Sequence, residues 1–351
     1  MQVSNNKPTP RIAAVLPVYN TAMYLRECLD SICNQTYSNF VIFAVDDGST
    51  DNSLEILNSY QSKDSRIRAY SKENGGVSSA RNFALNKIAQ DDRGFDLVCF
   101  IDSDDVVGED FFKFFVEALR TEDFDYIVCG WKVFNQKGFV EDERRGHHEV
   151  IVDQNETFEH FFKLGQWANA NYSSSARFLS NKCFSSSVAL RVRFNEGLDV
   201  SEDQDYIIRA LLHVKKGVIY SKENYFYRLR ASSLVHTGLK VEAMHYYENL
   251  LSYYPLLPPK GQEGVLIDAI GLWWLSVKAR INDGTYDKFK KKFDSDYAFF
   301  KNSPYVKSFS KKIKKRLFFY GLGWYFLKLC FGAQKTKQTQ SKRRNDEFLF
   351  K

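Results

Sequence analysis

The amino-acid sequence predicts an α/β fold with a mostly parallel sheet and flanking helices, followed by a C-terminal helical region. Over the first 110 residues, short continuous apolar runs alternate with segments of helical periodicity. Continuous apolar runs are typical of strands covered on both faces, as in parallel sheets. Residues 241–300 show helical periodicity alone. The alternation therefore indicates a doubly wound sheet, with the extra helices following it.

The predicted elements follow one another along the chain. The strands are residues 12–18, 40–45, 67–70 and 97–101, and the helices between and after them are 24–33, 54–60, 77–88 and 111–119. Asp51 or Ser53 is expected to cap the second helix. Further helices are expected at 204–214, 241–254, 265–280 and 286–300, with the proline-rich stretch 255–259 between the second and third of these.

Composition and charge limit the class of protein. The 351 residues allow about two domains, and 44% apolar with 26% charged residues excludes disordered and collagen-like chains. Residues 301–351 hold fourteen lysines and arginines against two acidic residues, a net charge of +12, which leaves −6 for residues 1–300. A basic tail on an acidic body predicts a polyanionic partner, either a membrane surface or nucleic acid.

The six cysteines form no CxxC pair and no metal-ligand spacing, and several lie in apolar runs. We expect buried, reduced thiols in a cytosolic protein. The first eleven residues lack the apolar core of a signal peptide. A spanning helix is not expected either, because no uninterrupted apolar run reaches about 18 residues.

Polar residues follow three of the predicted strands where each strand ends: Tyr19-Asn20, Asp46-Asp47 and 102–105. The carboxyl ends of parallel strands form the ligand-binding edge of such sheets. Asp102 and Asp104 lie two residues apart, so they point to the same side of an extended chain. Their oxygens suit Mg²⁺ or Mn²⁺, which would neutralise a departing diphosphate. The alternative is a solvated acidic turn in which Asp105 caps the next helix.

Residues 74–82 (NGGVSSARN) form a glycine-initiated helix start that carries Arg81. A helix N-terminus and an arginine both favour an anion. The segment is neither GxGxxG nor a P-loop, which argues against dinucleotide oxidoreductases and P-loop kinases. The alternative is a loop–helix junction with Arg81 in a surface ion pair.

Four segments together resemble family 2 glycosyltransferases of the GT-A fold, which has a Rossmann-like sheet. They are VLPVYN (15–20), VDDGSTDNS (45–53), ENGGVSSARN (73–82) and FIDSDD (100–105). Later segments extend the resemblance over about residues 11–236, to bacterial members that build capsule, lipopolysaccharide or teichoic-acid glycans. They are Lys182, Phe194, the segment 195–206 (NEGLDVSEDQDY) and 225–233 (YFYRLRASS).

The resemblance implies a UDP-sugar donor, inversion at the anomeric carbon and a Mn²⁺ or Mg²⁺ ion. It implies a nucleoside pocket lined by Pro17, Val18 and Tyr19, with Asp47 accepting from the uracil ring and Asp46 supporting it or contacting the ribose. It places Arg81 against the nucleotide, Asp102 on ribose or sugar hydroxyls, and Asp104 on the metal, with Asp102 touching the metal through water. The implied substrate-binding set also contains Asn74, Gly75, Ser103 and Glu202.

The resemblance further implies that an Asp in the pair Glu202-Asp203 is the catalytic base. Asp203 is the candidate, with Glu202 and Asp205 as alternatives. A desolvated carboxylate would take the proton from an acceptor hydroxyl as it attacks C1. The other interpretation is an acidic first turn of helix 204–214 with Ser201 as its cap. The two interpretations are compatible.

Other residues carry weaker hypotheses. His236 lies near the diphosphate or metal, or in a surface loop, and Trp167 and Tyr172 form a sugar-stacking wall or part of the core. His147 and His148 have no metal-ligand spacing. The chain lacks the spanning helices and the QxxRW motif of processive synthases, so we expect transfer of one sugar per binding event.

The expected domains are a catalytic domain over 1–236, with a nucleotide-sugar half at about 11–110 and an acceptor half at 111–236, and a helical subdomain over 237–306. Residues 307–332 combine lysines with the aromatic stretch LFFYGLGWYFLKLCF, which suits an interfacial anchor on an anionic inner leaflet. The alternative is a buried C-terminal helix with a solvated basic flank. Residues 333–351 are expected to be a disordered basic tail.

These expectations describe a cytoplasm-facing peripheral enzyme that acts on a lipid-linked glycan. A rival hypothesis is a noncatalytic nucleotide-sugar or glycan-binding protein on the same fold. Nucleic-acid binding through the tail is disfavoured by the acidic body and the lack of an RNA-binding motif. The donor sugar stays open among UDP-Gal, UDP-GalNAc, UDP-Glc and UDP-GlcNAc, and the sequence does not indicate an oligomeric state.

Overall fold

The structure is a computed structural model of the 351-residue chain. It describes residues 9–135, 138–139, 149–162, 178–198, 201–229, 246–282 and 284–321. The chain divides into two compact units, Met1–His236 and Thr237–Lys351. Each unit has its own apolar core.

Within the described residues of the first unit, ten strands form one sheet in the order β3-β2-β1-β4-β9-β6-β10-β5, with β7 paired to β6 and β8 paired to β10. The strands are β1 (Ile12–Val18), β2 (Phe40–Asp46), β3 (Ile67–Ser71), β4 (Leu97–Phe100), β5 (Val106–Val107), β6 (Tyr126–Asn135), β7 (Gly138–Phe139), β8 (Glu149–Asp153), β9 (Lys182–Ser185) and β10 (Lys216–Arg228).

The first half of this sheet is parallel, as the continuous apolar runs predict. Strand β1 pairs in parallel with both β2 and β4, and β2 pairs in parallel with β3. Every residue of β1, β2 and β4 is buried, so both faces are covered. Antiparallel pairing begins at β9, which joins β4 to β6, while β6 and β10 are again parallel.

The helices of this unit are α1 (Ala22–Cys33), α2 (Ser53–Gln61), α3 (Val77–Ala89), α4 (Phe111–Thr121), α5 (Gln154–Phe162), α6 (Ser186–Ala189) and α7 (Glu202–Leu211). Helix α1 buries Leu25, Cys28 and Leu29, which lie at the three- and four-residue spacing of one helical face. The predicted helices are therefore present, with ends that differ by a few residues.

The predicted helix caps differ from the observed ones. Asn52 occupies the N-cap position of α2, and Asp51 accepts a hydrogen bond from the Ser53 N–H at 3.0 Å. Asp110, not Asp105, occupies the N-cap position of α4. Ser201 does precede α7, but in a left-handed conformation with φ 66° and without a side-chain cap bond. The alternative in which Asp105 caps this helix is wrong, because its carboxyl group is buried and bonded to Tyr225.

The five described cysteines are free thiols, and four of them are buried. They are Cys28, Cys33, Cys99, Cys129 and Cys183, with Cys33 partly exposed. Cys330 lies outside the described residues.

The second unit is helical over its described residues. Its helices are α8 (Tyr246–Tyr253), α9 (Pro259–Asn282), α10 (Tyr286–Lys301) and α11 (Lys311–Gly321), with 3-10 turns at Tyr254–Leu256 and Pro304–Lys307. Aromatic side chains fill its core, among them Trp273, which packs against Phe300 and Tyr320. In the part of the chain that the structure describes, no helix combines the length and apolar character needed to cross a bilayer.

Helix α11 has two different faces. Ile313, Leu317 and Tyr320 are buried in the core of the second unit. Phe318 is 63% exposed, and four exposed lysines lie on the same outer part of the helix, Lys311, Lys312, Lys314 and Lys315. Ile313, Leu317 and Tyr320 thus pack on protein, whereas Phe318 faces solvent. The remainder of the predicted anchor, residues 322–332, lies outside the described residues.

Candidate functional site

The register of the parallel strands brings three polar segments to one edge of the sheet. Val18 lies opposite Asp46, so β1 and β2 end at the same level. Phe100, the last residue of β4, lies opposite Val15, so β4 ends three residues earlier along β1. Tyr19 and Asp47 directly follow β1 and β2, and Asp102 lies two residues after the end of β4. Pro17 and Val18 are buried within β1, whereas Tyr19 is 49% exposed at the edge.

Asp47 anchors the glycine-rich loop before α3. Its buried carboxylate accepts hydrogen bonds from the N–H groups of Gly75 (3.1 Å) and Gly76 (2.7 Å) and from Lys72 Nζ (2.7 Å). The Asn74 side-chain amide donates to the Asp47 carbonyl oxygen at 2.8 Å. The predicted residues Asp47, Asn74 and Gly75 are thus brought together. Lys72 was not predicted, although it lies only two residues before Asn74.

This loop comes so close to β2 that Gly48 is required. Gly48 has a φ of 73°, and a Cβ there would lie 2.9 Å from the Asn74 nitrogen. Both the left-handed backbone and the contact exclude other residues without a shift. The DDG sequence therefore fixes where the loop meets the strand.

Asp46 is 1% exposed and only half satisfied. Its Oδ2 accepts from the Ser49 N–H and the Ser71 hydroxyl, both at 3.3 Å. Its Oδ1 has no hydrogen-bond partner among the described residues. Buried acceptors are normally bonded, so this oxygen is suited to a hydroxyl or N–H of a ligand.

The 102–105 turn places its side chains in different surroundings. Asp102 is partly exposed, and its carboxylate accepts from an Arg81 Nη at 3.0 Å and from the Ser180 hydroxyl at 2.7 Å. Ser103 is buried and accepts from the Thr21 hydroxyl at 3.0 Å, so it ties the turn to the start of α1. Asp104 is partly exposed.

Arg81 connects α7 to the donor edge, the edge of the sheet formed by the ends of β1, β2 and β4. It is 3% exposed and forms ion pairs with Asp102 (3.0 Å), Glu202 (3.2 Å) and Asp203 (2.6 Å). The latter two lie more than a hundred residues away in sequence. The alternative of a surface ion pair is wrong, because the guanidinium is buried. Asp205 is also buried but pairs with Arg209, so it does not share this cluster.

The charges in this cluster change the proton affinity of its members. Burial raises the pKa of Asp203 to about 7; Arg81 opposes this shift, while Glu202 and Asp102 add to it. Burial alone would lower the pKa of Arg81, but the charges of Asp203, Asp102 and Glu202 raise it. Asp203 is therefore a carboxylate that can exchange a proton near neutral pH.

Lys182 is a second buried cation near this cluster. Its ammonium is fully buried and donates to the Phe178 carbonyl oxygen and to Asn181 Oδ1 at 2.8 Å. Burial lowers its pKa to about 7, and the Asp203 charge partly offsets that shift. Lys182 was part of the predicted family resemblance, but no role was predicted for it.

The carboxyl groups of the turn lie close enough to act on one another. The pKa of Asp105 is raised well above its usual value, first by burial and then by the charges of Asp102 and Asp104. In the described ranges, no group of three or more His, Cys, Asp or Glu side chains is arranged to hold a metal ion. Two hard carboxylates still fit Mg²⁺ or Mn²⁺, which bind through one or two carboxylates with water and phosphate oxygens.

Several predicted residues lie outside the described part of the chain. They are His147, His148, Trp167, Tyr172 and His236. Residues that contact the site but were not predicted are Lys72, Ser180, Tyr225 and Arg228.

Solved structures with the same fold include the 1–349 fragment of TarS from S. aureus, with a TM-score of 0.59 and 19% identity over 83% of this chain and 80% of that one. The same fragment in complex with UDP-GlcNAc gives a TM-score of 0.55. A mannosyltransferase from Pyrobaculum calidifontis in complex with GDP-Man and Mn²⁺ gives 0.53, at 15% identity over 88% of this chain and 85% of that one. These likenesses show the GT-A fold.

Sequence comparison identifies the family. Glycosyltransferase GlyA of Streptococcus pneumoniae serotype 4 is 32% identical over 228 residues, which cover 64% of this chain and 31% of GlyA. The chain thus matches about a third of that relative's length. The model of glycosyl transferase family 2 matches residues 13–189, half of this chain, including the whole donor edge. The chain belongs to glycosyl transferase family 2.

Proposed function

We propose that this chain is a metal-assisted, inverting enzyme that transfers a single sugar from a UDP-sugar to a hydroxyl of a lipid-linked glycan acceptor in surface polysaccharide biosynthesis. The observation that carries the proposal is the Arg81 cluster. It brings Asp203, a carboxylate that titrates near neutral pH, next to Asp102 at the edge where nucleotides bind in such sheets. This proximity supports the assignment of the donor and the general base to one site.

The nucleoside is assigned to the edge formed by β1 and β2. Tyr19 offers an exposed ring, and the buried Asp46 Oδ1 offers a free acceptor. Asp47 holds the glycine-rich loop and accepts a hydrogen bond from the uracil ring. Arg81 contacts the nucleotide. A UDP-sugar is favoured because the structurally similar TarS fragment forms complexes with UDP-GlcNAc and with UDP.

Asp104, assisted by Asp102, is assigned to the divalent metal. When bound, the ion neutralises the charge on the departing diphosphate. Two observations support this assignment. Asp104 is partly exposed, and the charges of Asp102 and Asp104 are close enough to raise the pKa of Asp105. The complex of the mannosyltransferase with Mn²⁺ is consistent with it.

Asp203 acts as the general base. Its carboxylate accepts the proton of the acceptor hydroxyl while the hydroxyl oxygen attacks the anomeric carbon from the face opposite the diphosphate, which inverts that carbon. Glu202 shares Arg81 with Asp203 and orients the sugar hydroxyls. Arg81 keeps Asp203 ionised over more of the neutral range, because its charge lowers the pKa of that carboxyl.

Replacement of the base tests this assignment. Asp203→Asn keeps the shape of the side chain but removes the proton acceptor, so kcat should fall by at least about a hundredfold. UDP affinity measured by calorimetry with Mn²⁺ should stay within a few fold. Near-normal turnover of the variant would refute the assignment.

A donor screen tests the activity itself. UDP release from UDP-Gal, UDP-GalNAc, UDP-Glc and UDP-GlcNAc would be measured with Mn²⁺ and with EDTA. Metal-dependent release from one of them is the expected result. Tight binding of a UDP-sugar without hydrolysis or transfer would indicate the noncatalytic binding protein instead.

We also propose that the enzyme is cytoplasmic and peripheral on the inner face of the plasma membrane. The four exposed lysines of α11 and the exposed Phe318 support contact with an anionic lipid surface. This contact would keep the enzyme at the surface that carries its acceptor.

A further inference from the structure

We propose that Tyr225 and Arg228 of β10 are positioning residues that hold the 102–105 turn in the shape that presents Asp102 and Asp104 to the donor. This inference rests on the proposed function, since it takes those two carboxylates as the donor and metal ligands. Neither residue carries a role in the predictions from sequence. Both contact the turn across more than 120 residues of sequence.

Tyr225 bridges the two ends of the turn through its hydroxyl group. The oxygen accepts a hydrogen bond from the Asp102 N–H at 3.2 Å and donates to Asp105 Oδ2 at 2.6 Å. The side chain is 3% exposed, so water does not replace these bonds. One hydroxyl group therefore links the Asp102 backbone to the Asp105 carboxyl group.

Arg228 holds the middle and the end of the turn. Its Nε donates to the Asp104 carbonyl oxygen at 2.7 Å, and its backbone N–H donates to Asp105 Oδ1 at 2.8 Å. The guanidinium lies over the Phe134 ring at 4.3 Å and pairs with Glu27 at 2.6 Å. These contacts fix the arginine itself, because stacking and ion pairing restrict its rotamers.

Asp105 serves as the internal anchor of this arrangement. It is 1% exposed, and each of its carboxyl oxygens accepts a bond from β10. Its carboxyl group thus faces the protein, while those of Asp102 and Asp104 are partly exposed. Asp105 thus anchors the turn to the protein, while Asp102 and Asp104 can bind ligands. This division gives the turn one defined shape.

The backbone geometry supports the same role for β10. Tyr225 and Phe226 pair in antiparallel fashion with β5, which directly follows the turn. β10 therefore contacts the turn at three places: its backbone, the buried Asp105 carboxyl group and the following strand β5. Residues that orient metal ligands in this way typically change metal affinity or activity by 10- to 100-fold when replaced.

The test compares UDP affinity with and without Mn²⁺ in conservative variants. Tyr225→Phe removes only the bridging hydroxyl, and Arg228→Lys keeps the charge but loses the Nε bond to Asp104. Tyr206→Phe is the matched control for the first, because Tyr206 is fully buried and its hydroxyl donates to the Ala189 carbonyl oxygen at 3.0 Å. Arg66→Lys is the control for the second, since Arg66 lies over the Phe40 ring at 4.4 Å and donates to the Cys33 carbonyl oxygen.

Calorimetry should show that Mn²⁺ tightens UDP binding to the wild-type chain, and that Tyr225→Phe and Arg228→Lys each reduce this gain by about tenfold or more. Both control variants should keep the gain while losing similar thermal stability. A gain unchanged within twofold in Tyr225→Phe and Arg228→Lys overturns the inference and leaves the proposed function intact.

Three other results also overturn it. Equal losses in the controls would show a general effect of destabilisation, and failure of both test variants to fold, seen by circular dichroism, would show that the residues hold the fold rather than the turn. A wild-type chain whose UDP affinity does not respond to Mn²⁺ would remove the metal from the proposed function and the inference with it.

Discussion

Arg81 joins carboxyl groups from two distant parts of the chain, and this single residue organises the site. Sequence motifs identified Asp102, Glu202 and Asp203 one at a time. They did not indicate that one buried guanidinium touches all three. Pairing across more than a hundred residues has no local signal, since it depends on how α3 and α7 meet in the folded chain.

The pKa of Asp203 predicts the acid side of the pH profile. A general base must be ionised, and burial raises the pKa of this carboxyl to about 7. We therefore expect kcat/KM, which reports groups of the free enzyme, to fall as the pH drops through about 7. Initial rates at subsaturating donor over a pH series would measure this limb.

Arg81 variants show the origin of that pKa. The Arg81 charge lowers the pKa of Asp203, so the neutral Arg81→Gln should move the acid limb to higher pH, while Arg81→Lys, which keeps a positive charge, should move it less. Arg81→Gln should also lower the thermal stability, because three carboxylates remain without their partner. An acid limb at the same pH in the wild type and Arg81→Gln would contradict this explanation.

Lys182 should lower stability at neutral pH. Burial lowers its pKa from the ordinary lysine value to about 7, so the unfolded chain binds one more proton between about 7 and 10.5. Removing the Lys182 charge should therefore stabilise the fold most at the low-pH end of this range. We expect Lys182→Met to stabilise the fold by about 1 to 4 kcal/mol near pH 7, and by less as the pH rises toward 10.

Urea denaturation of the wild type and Lys182→Met across that pH range measures the difference directly. Because all other titrating groups are shared, the difference isolates Lys182. A loss of transfer activity in the same variant would explain why a costly charge lies beside Asp203. A stability gain of Lys182→Met that grows with pH would contradict the predicted direction of this pH dependence.

At the scale of elements, the strands of the donor half were predictable and most later strands were not. β1, β2 and β4 are continuous apolar runs. Their burial on both faces requires a position in a sheet that helices cover on each side. β10 mixes buried residues with the exposed Lys222 and the partly exposed Glu223, and its register shifts twice between Ile219 and Tyr225. β9 has only four residues. Short or irregular strands have no regular hydrophobic period.

The irregularity of β10 depends on Gly130 of β6. A Cβ at Gly130 would lie 2.2 Å from the Ser221 carbonyl oxygen and 2.8 Å from the Ser221 carbonyl carbon, both backbone atoms that cannot rotate away. We expect Gly130→Ala to destabilise the fold by about 1 to 3 kcal/mol through overpacking. Thermal unfolding measures this loss.

Gly197→Ala is the matched control for that substitution. Its added Cβ would meet only the Asn195 side chain, at 3.3 Å, and its backbone is not in the left-handed region. Its melting temperature should stay close to that of the wild type. Equal melting temperatures for the wild type and Gly130→Ala would show that β6 and β10 can separate at this point without cost.

At the scale of the whole molecule, the uneven charge of the sequence corresponds to two units with different surfaces. In the first unit, carboxylates gather at the donor edge. In the second, lysines of α10 and α11 have different partners. Lys290 and Lys292 of α10 pair with Asp294 and Asp296. The lysines of α11 have no acidic residue within their own helix.

This difference predicts that α11, and not α10, contacts anionic lipid. Each lysine near an anionic surface adds about 1 kcal/mol of attraction before screening by salt. Replacing the four exposed lysines of α11 (Lys311, Lys312, Lys314 and Lys315) by Glu should lower retention on phosphatidylglycerol-containing vesicles by at least about tenfold. Charge replacement is preferable to deletion of 307–351, because deletion would also remove Ile313 and Leu317 from the core.

The control replaces the same number of lysines in α10 by Glu (Lys288, Lys290, Lys291 and Lys292). Co-sedimentation would compare the full-length wild type and both variants on vesicles of phosphatidylglycerol with phosphatidylcholine, and on phosphatidylcholine alone. If attraction came from net charge alone, both variants would lose binding equally, because each changes the charge by the same amount. If α11 is the contact, only its variant loses binding, and the loss disappears on phosphatidylcholine alone. Undiminished retention of the α11 variant would refute the membrane contact.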